Sequence, residues 1–280
     1  MKALVEIKGG FGNQIFQYAF ANSLKEKGFK VSVNIQKNLN KEEMLDNKIF
    51  GFPKSSILFV QILNLLYRIL ESNKLGNKNR HLINKVFRKF FVVKDFENIE
   101  GRFFNHFDGY WQNVELLVSQ KKFILDCLKN IEPFKDLKEK DYLNGSTLIH
   151  VRRGDYLNYG EELSLNFYYQ AIKYCENNIK NFKFEIFTDD INWVKSHYLF
   201  DNALNIHGPT RSLNNLLKEV YKMLNFENYV VGNSSFSLVA AILSEDERSK
   251  IIVADPWMRN SKHDLKFKNN WIKIKNITNS

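Results

Sequence analysis

The sequence predicts an α/β protein of two doubly wound domains, and three observations carry that expectation. Short apolar or β-branched runs alternate with amphipathic segments along the 280 residues, the pattern of parallel strands joined by helical crossovers. Two of the runs stop at clusters that combine turn residues with chemistry: Thr147 to Val151 runs into Arg152-Arg153-Gly154-Asp155, and Tyr229 to Val231 into Gly232-Asn233-Ser234-Ser235. Strand ends are where ligands sit in open α/β sheets. A charged stretch from Asn130 to Leu143 with Pro133 inside it reads as a connection, giving domains 1–140 and 141–280.

Taken in order, Ala3 to Ile7 is a first strand, and Gly9-Gly10-Phe11-Gly12 follows it directly. Asn13 to Lys27 then reads as a helix, with Ile15, Phe16, Ala19, Phe20 and Leu24 at helical spacing, Lys25 and Lys27 in the last turn and Gly28 as a stop. Val31 to Ile35 is the second strand of a βαβ beginning. Ile57 to Leu70 reads as an amphipathic helix, interrupted by Gln61, Asn64 and Arg68, and is shorter than the roughly 20 residues of a membrane span. The basic peak, Arg80 to Lys94, sets Lys85, Arg88 and Lys89 near an apolar face, which suits either a solvated helix or docking on a membrane surface. Phe103 to Trp111 is a dense aromatic patch enclosing His106 and Asp108; it fits core packing and also a sugar held by rings and a carboxylate. Val114 to Leu128 is a helix.

In the second half, Asn166 to Asn178 follows the central strand as a helix with Tyr168, Ala171, Ile172 and Cys175 on one side. Phe182 to Thr188 is the next strand and ends in Asp189-Asp190, read as a helix N-cap or a contact to arginine because metal-binding DxD spacing is absent. A helix from Ile191, a short strand Asn205 to His207, and a helix Ser212 to Leu224 with Glu219 beside its apolar stripe come next. The strand Tyr229 to Val231, the helix Leu238 to Leu243 and a last strand Ile251 to Ala254 complete the alternation, and Trp257 closes onto the domain after Pro256.

Composition narrows the function classes. Hydrophobic residues at 44% and charged residues at 26% are ordinary for a globular protein that folds without staples. Cys127 and Cys175 belong to no CxxC or Cys/His spacing, so neither a zinc site nor a disulfide framework is expected. MKALVEIKGG is no signal peptide, and the expected location is cytoplasmic. The net charge of +10 attracts nucleic acid, anionic lipid or a phosphorylated substrate alike. Lysines are spread along the chain without interleaved aromatics, which disfavours nucleic acid as a partner.

The clusters carry specific chemistry. Two adjacent guanidiniums, permanently charged and able to grip paired oxygens, suit a diphosphate. Gly154 permits a close turn beside such a ligand, and Asp155 either takes a proton or orients an arginine. The glycine loop before the first helix and the serines at the head of Leu238 to Leu243 both place backbone N–H groups at a helix start, an anion-binding arrangement. The first loop is neither a Walker loop nor GxGxxG, so ATP or a dinucleotide is not implied.

With GGFGNQIFQYAFANSL, DGYWQN, HVRRGDY, FTDD and GNSSFS in this order, the chain resembles the bacterial and animal α-1,2-fucosyltransferase family from Gly9 to about Trp257. The resemblance implies an inverting, metal-independent GT-B enzyme of two Rossmann-like domains facing a cleft, with no cofactor. It implies transfer of L-fucose from GDP-β-L-fucose, or of another 6-deoxyhexose from a related donor, to a galactose-type hydroxyl of a surface glycan such as O-antigen. A non-catalytic sugar-nucleotide or glycan-binding protein is the other reading. The matching residues place His150, Arg152 and Arg153 on the donor, with Asn233, Ser234 and Ser235 at its phosphates. Gly9, Gly10, Asn13 and Gln14 face the cleft as further donor-binding residues, and Glu219 stands where a carboxylate holds guanine. Asp155 and Arg152 are the catalytic candidates, Glu161 and Asp108 stand behind Asp155 as bases, and Asp108, Tyr110 and Trp111 are the acceptor candidates. A lipid-linked oligosaccharide acceptor would bring the chain peripherally to the inner membrane face. Leu238 and Val239 depart from two tryptophans common in the family, and Glu219 from its usual aspartate.

Overall fold

The computed structural model describes residues 1–36, 44–56, 104–137, 144–210, 212–260 and 265–277. The helices expected at Ile57 to Leu70 and Arg80 to Lys94 lie outside these residues. The described chain forms two compact units, 1–111 and 112–280, each built on a parallel sheet.

In the first unit, β1 (Lys2–Ile7) lies between β2 (Lys30–Ile35) and β3 (Phe104–Phe107), in the order β2-β1-β3. Helix α1 (Phe11–Glu26) begins two residues earlier than the periodicity predicts, taking in Phe11 and Gly12, and buries nearly its whole length. The aromatic patch contributes a strand, β3, unmarked by alternation because buried polar Asn105 and His106 precede buried Phe107. His106 Nε2 meets Glu6 Oε1 at 2.7 Å, and Asn34 donates to Glu6 Oε2 at 2.7 Å, so three neighbouring strands share one satisfied polar cluster.

The second unit begins earlier than the sequence suggested. Helices α2 (Val114–Ser119) and α3 (Lys121–Leu128) pack on α7 (Ser235–Ser244), so the division falls after Trp111 and not near residue 140. Buried Val114, Leu117, Ile124 and Leu128 hold these helices to the later core, whereas the charged stretch after them was read as the connection.

The second sheet has the order β6-β5-β4-β7-β8-β9, all parallel. Its strands are β4 (Ser146–Val151), β5 (Lys183–Thr188), β6 (Ile206–His207), β7 (Asn228–Val231), β8 (Ile251–Asp255) and β9 (Ile272–Lys275). Three helices complete the unit: α4 (Leu165–Asn178), α5 (Ile191–Lys195) and α6 (Leu213–Met223). β4 is buried at every position, as expected of a central strand covered on both faces. The order reverses direction between β4 and β7, which is the topological switch point of a doubly wound sheet. β9 escaped the sequence reading because four residues alternating Ile and Lys at an edge carry little signal.

Candidate functional site

The two turns singled out in the sequence leave the carboxyl ends of β4 and β7, on either side of that switch point. β4 and β5 run in register with Val151 beside Thr188, which sets Arg152-Arg153 alongside Asp189-Asp190. The contacts follow from this register. Arg152 Nη1 lies 2.9 Å from Asp189 Oδ2 and its Nη2 donates to Asp155 Oδ1 at 2.7 Å. The Arg153 backbone N–H donates to Asp189 Oδ1 at 2.8 Å, and its Nε to Asp190 Oδ2 at 3.2 Å. Asp190 also caps α5, accepting from Trp193 N at 3.0 Å. Both readings of the paired acids are therefore realised together. Gly154 is dictated by proximity, since a Cβ there would stand 2.5 Å from Asp189 Oδ2.

His150 ends the buried part of β4. Burial, reinforced by the Arg152 charge, pushes its imidazole down to about 3, so the ring is neutral at any working pH. Its Nδ1 is buried and has no hydrogen-bond partner among the described residues, and Gly232 approaches so closely that a Cβ would lie 2.9 Å from the His150 carbonyl oxygen. Across the switch point, Ser234 caps α7 by accepting from Phe236 N at 3.4 Å, while Ser235 begins the helix and is partly exposed. Asn233 is buried and donates to the Glu161 carbonyl at 2.6 Å; its Oδ1 has no partner among the described residues. The ends of both β4 and β7 thus carry a buried polar atom with hydrogen-bonding capacity unused among the described residues.

The first unit collects a second set at the ends of β1 and β3. Gly9 has φ +80°, and a Cβ there would meet Asn13 Nδ2 at 2.8 Å and Tyr110 Cε1 at 3.0 Å. Lys8 Nζ pairs with Asp108 Oδ1 at 2.5 Å and lies 5.6 Å from the centre of the Tyr110 ring. Tyr110 is half exposed, and Gly10 precedes α1 as its cap residue. Gly9, Gly10, Asn13, Asp108 and Tyr110 thus come together as a polar and aromatic surface suited to a sugar.

Residues 3–275 match the sequence profile of glycosyl transferase family 11. The chain belongs to this family. It is 27% identical over 280 residues to an alpha-1,2-colitosyltransferase of Escherichia coli, covering 91% of each chain. It is 22% identical over 311 residues to the O-antigen biosynthesis glycosyltransferase WbnK of Escherichia coli, covering 96% of this chain and 99% of that one. A solved structure of the NodZ alpha-1,6-fucosyltransferase soaked with GDP-fucose aligns with 86% of this chain and 92% of its own at 15% identity and a TM-score of 0.43.

Three expected residues of this family 11 chain have other duties. Gln14 is fully buried; its amide donates to the Gly9 carbonyl at 3.0 Å and accepts from Leu45 N at 2.9 Å, so it shapes the loop from within and presents nothing to a ligand. Trp111 is buried and stacks on Phe20 at 4.3 Å, making it core and not an acceptor platform. Glu161, considered as a base, is buried with its two oxygens accepting from Arg259 N and Asn260 N, each at 2.8 Å. Glu219, on α6, is half-buried and accepts from Thr210 Oγ1 at 2.9 Å; burial raises its pKa above the ordinary carboxylate value despite that bond and the nearby His207 and Lys222.

Sequence reading missed Tyr156, Trp193 and Arg259. Tyr156 donates to the Asn233 carbonyl at 2.8 Å, tying one turn to the other. Arg259 donates to the Glu162 carbonyl at 3.0 Å and to Asn276 Oδ1 at 2.9 Å, bracing the loop beneath. Only Tyr156, adjacent to the Arg-Arg-Gly-Asp turn, carried a positional hint.

Among the described residues no group of three or more His, Cys, Asp or Glu is arranged to hold a metal ion, and no helix is long and apolar enough to cross a membrane.

Proposed function

We propose that this family 11 glycosyltransferase moves L-fucose from GDP-β-L-fucose to a galactose-type hydroxyl, forming an α-1,2 linkage with inversion and without a metal. What supports the reading is the switch-point arrangement: two arginines at the end of β4 and a capped helix start at the end of β7, tied together by the Tyr156–Asn233 bond. Leaving-group charge on a diphosphate would build between them. Guanidiniums and helix-start N–H groups stabilise such charge from fixed positions, in place of a metal ion. As the sugar C–O bond breaks, the ring becomes oxocarbenium-like and the acceptor oxygen attacks the opposite face. Loss of its proton needs an acceptor; we assign Asp155 first to orienting Arg152, and to proton transfer only once a bound diphosphate has drawn that arginine away.

The colitosyltransferase relative favours a second donor, since colitose is L-fucose without its 3-hydroxyl. The acceptor we infer is an O-antigen type glycan, in keeping with the name of the WbnK relative, carried in lipid-linked form at the inner membrane face. Glu219 is assigned to guanine, Gly9 and Asn13 to the donor, and Asp108 and Tyr110 to the acceptor.

The test is thermal stabilisation by GDP, UDP and ADP in excess chelator, followed by transfer from GDP-fucose and GDP-colitose to galactosides. Selective stabilisation by GDP is expected, with α-1,2 product formed while chelator is present. Equal response to all three nucleotides, or activity abolished by chelator, would overturn the donor reading or the metal-free mechanism respectively.

A further inference from the structure

Three carboxylates, Asp155, Asp189 and Asp190, contact the two arginines, so the β4 end carries a formal excess of negative charge before any ligand arrives. An anion site there cannot rest on summed charge. It must rest on which guanidinium N–H groups remain unused. Arg152 has both terminal nitrogens engaged, Nη2 by Asp155 at 2.7 Å and Nη1 by Asp189 at 2.9 Å. Arg153 is held by other means: Nε by Asp190 at 3.2 Å, and its guanidinium carbon 4.2 Å from the centre of the Trp193 ring in a cation–π contact. A cation–π contact leaves the N–H groups not aimed at the ring free to donate, whereas pairing with a carboxylate consumes them. The terminal fork of Arg153 therefore meets no carboxylate among the described residues.

We propose that Trp193 is a positioning residue which, with Asp190, presents the terminal fork of Arg153 to a diphosphate. Arg153 is then the standing anion receptor, and Arg152 joins it by giving up Asp155. The inference rests on the β4 end being the diphosphate site. Asp190 couples the parts, because one oxygen takes Arg153 Nε while the other accepts from Trp193 N at 3.0 Å and starts α5. The ring cannot drift, being packed against His197 at 4.4 Å, Phe200 at 5.8 Å and Tyr168 at 6.2 Å. The Arg152–Asp155 pair is the yielding contact, as Asp155 is more than half exposed and exposed ion pairs hold weakly.

Calorimetric titration with inorganic pyrophosphate, which has no base or sugar to confuse the result, tests the proposal. Trp193→Leu is expected to weaken pyrophosphate binding about 2- to 30-fold, the range of one cation–π contact, and Trp193→Phe to restore most of it. Trp193→Met keeps comparable apolar bulk without a ring and is expected to weaken binding in the same direction, which decides the matter should the leucine variant fail to fold. Parental pyrophosphate affinity in folded Trp193→Leu, equal losses in the leucine and phenylalanine variants, or no binding by the parent chain would overturn it. GDP binding no better than UDP, with the pyrophosphate pattern as expected, would sink the guanine assignment and leave this inference standing.

Discussion

Tyr156 Oη donates to the carbonyl of Asn233 at 2.8 Å, and through this bond the turn after β4 holds the turn after β7. The Asn233 side chain returns the tie, donating to the Glu161 carbonyl at 2.6 Å. Burial pushes the Tyr156 phenol up to about 12, so it remains a donor throughout the working range. Tyr156→Phe keeps the ring that lies under Arg152 and deletes only the tie. Expected are a stability loss of about 1 kcal/mol and a several-fold rise in the donor KM with little change in kcat, read from thermal melts and steady-state kinetics.

Gly154→Ala tests whether Asp189 must stand where it does. The new Cβ would lie 2.5 Å from Asp189 Oδ2, so the carboxylate has to leave the position from which it holds the Arg153 N–H and faces Arg152. The buried strand behind it is untouched. A melting temperature within a few degrees of the parent is expected, with GDP affinity reduced at least about tenfold, the scale of a charged hydrogen bond; unchanged affinity by calorimetry would detach Asp189 from the site.

His150 sets a pH dependence of stability. Its folded value of about 3 lies below the ordinary 6.5, so the unfolded chain binds the proton first as pH falls. The sign follows: the contribution is fully present above about pH 6.5 and is lost progressively below it, by about 2 kcal/mol at pH 5. Urea unfolding of the parent and of His150→Gln at pH 7 and pH 5 isolates this term, and a smaller drop in the variant is the expected outcome.

Much of this was legible because strand ends announce themselves. Val151 followed by two arginines, and Val231 followed by Gly-Asn-Ser-Ser, marked both turns, and strict alternation of strand and helix gave the sheet type. The pairing of Arg152-Arg153 with Asp189-Asp190 depends on the β4–β5 register, which no local pattern encodes. Gln14 and Trp111 misled for one shared reason: a polar or aromatic residue inside a distinctive motif looks like a ligand contact, yet Gln14 serves two backbone groups and Trp111 fills the core over Phe20. The division after Trp111 was hidden because α2 and α3 join the later core through contacts more than a hundred residues away in sequence.

Glu219 separates function from stability most sharply. Burial is the largest influence on its carboxyl and raises its pKa, against the opposing Thr210 hydrogen bond and the His207 and Lys222 charges. In the interval between the ordinary carboxylate value of 4.5 and the raised one, the folded chain holds a proton that the unfolded chain has released. Stability must therefore fall as pH rises through that interval and stay lowered above it. Glu219→Gln removes the ionisation while its side-chain oxygen still accepts from Thr210 Oγ1. Its melting temperature at pH 7 is expected to equal or exceed that of the parent. Guanine, by contrast, offers two adjacent N–H donors to whatever holds it, and an amide can accept only one of them without setting donor against donor. GDP affinity in this variant is expected to fall about 10- to 100-fold while UDP affinity changes little. Calorimetry of both nucleotides beside the melts checks the pair of outcomes, and a variant that gains stability yet keeps its GDP preference would remove Glu219 from the base site.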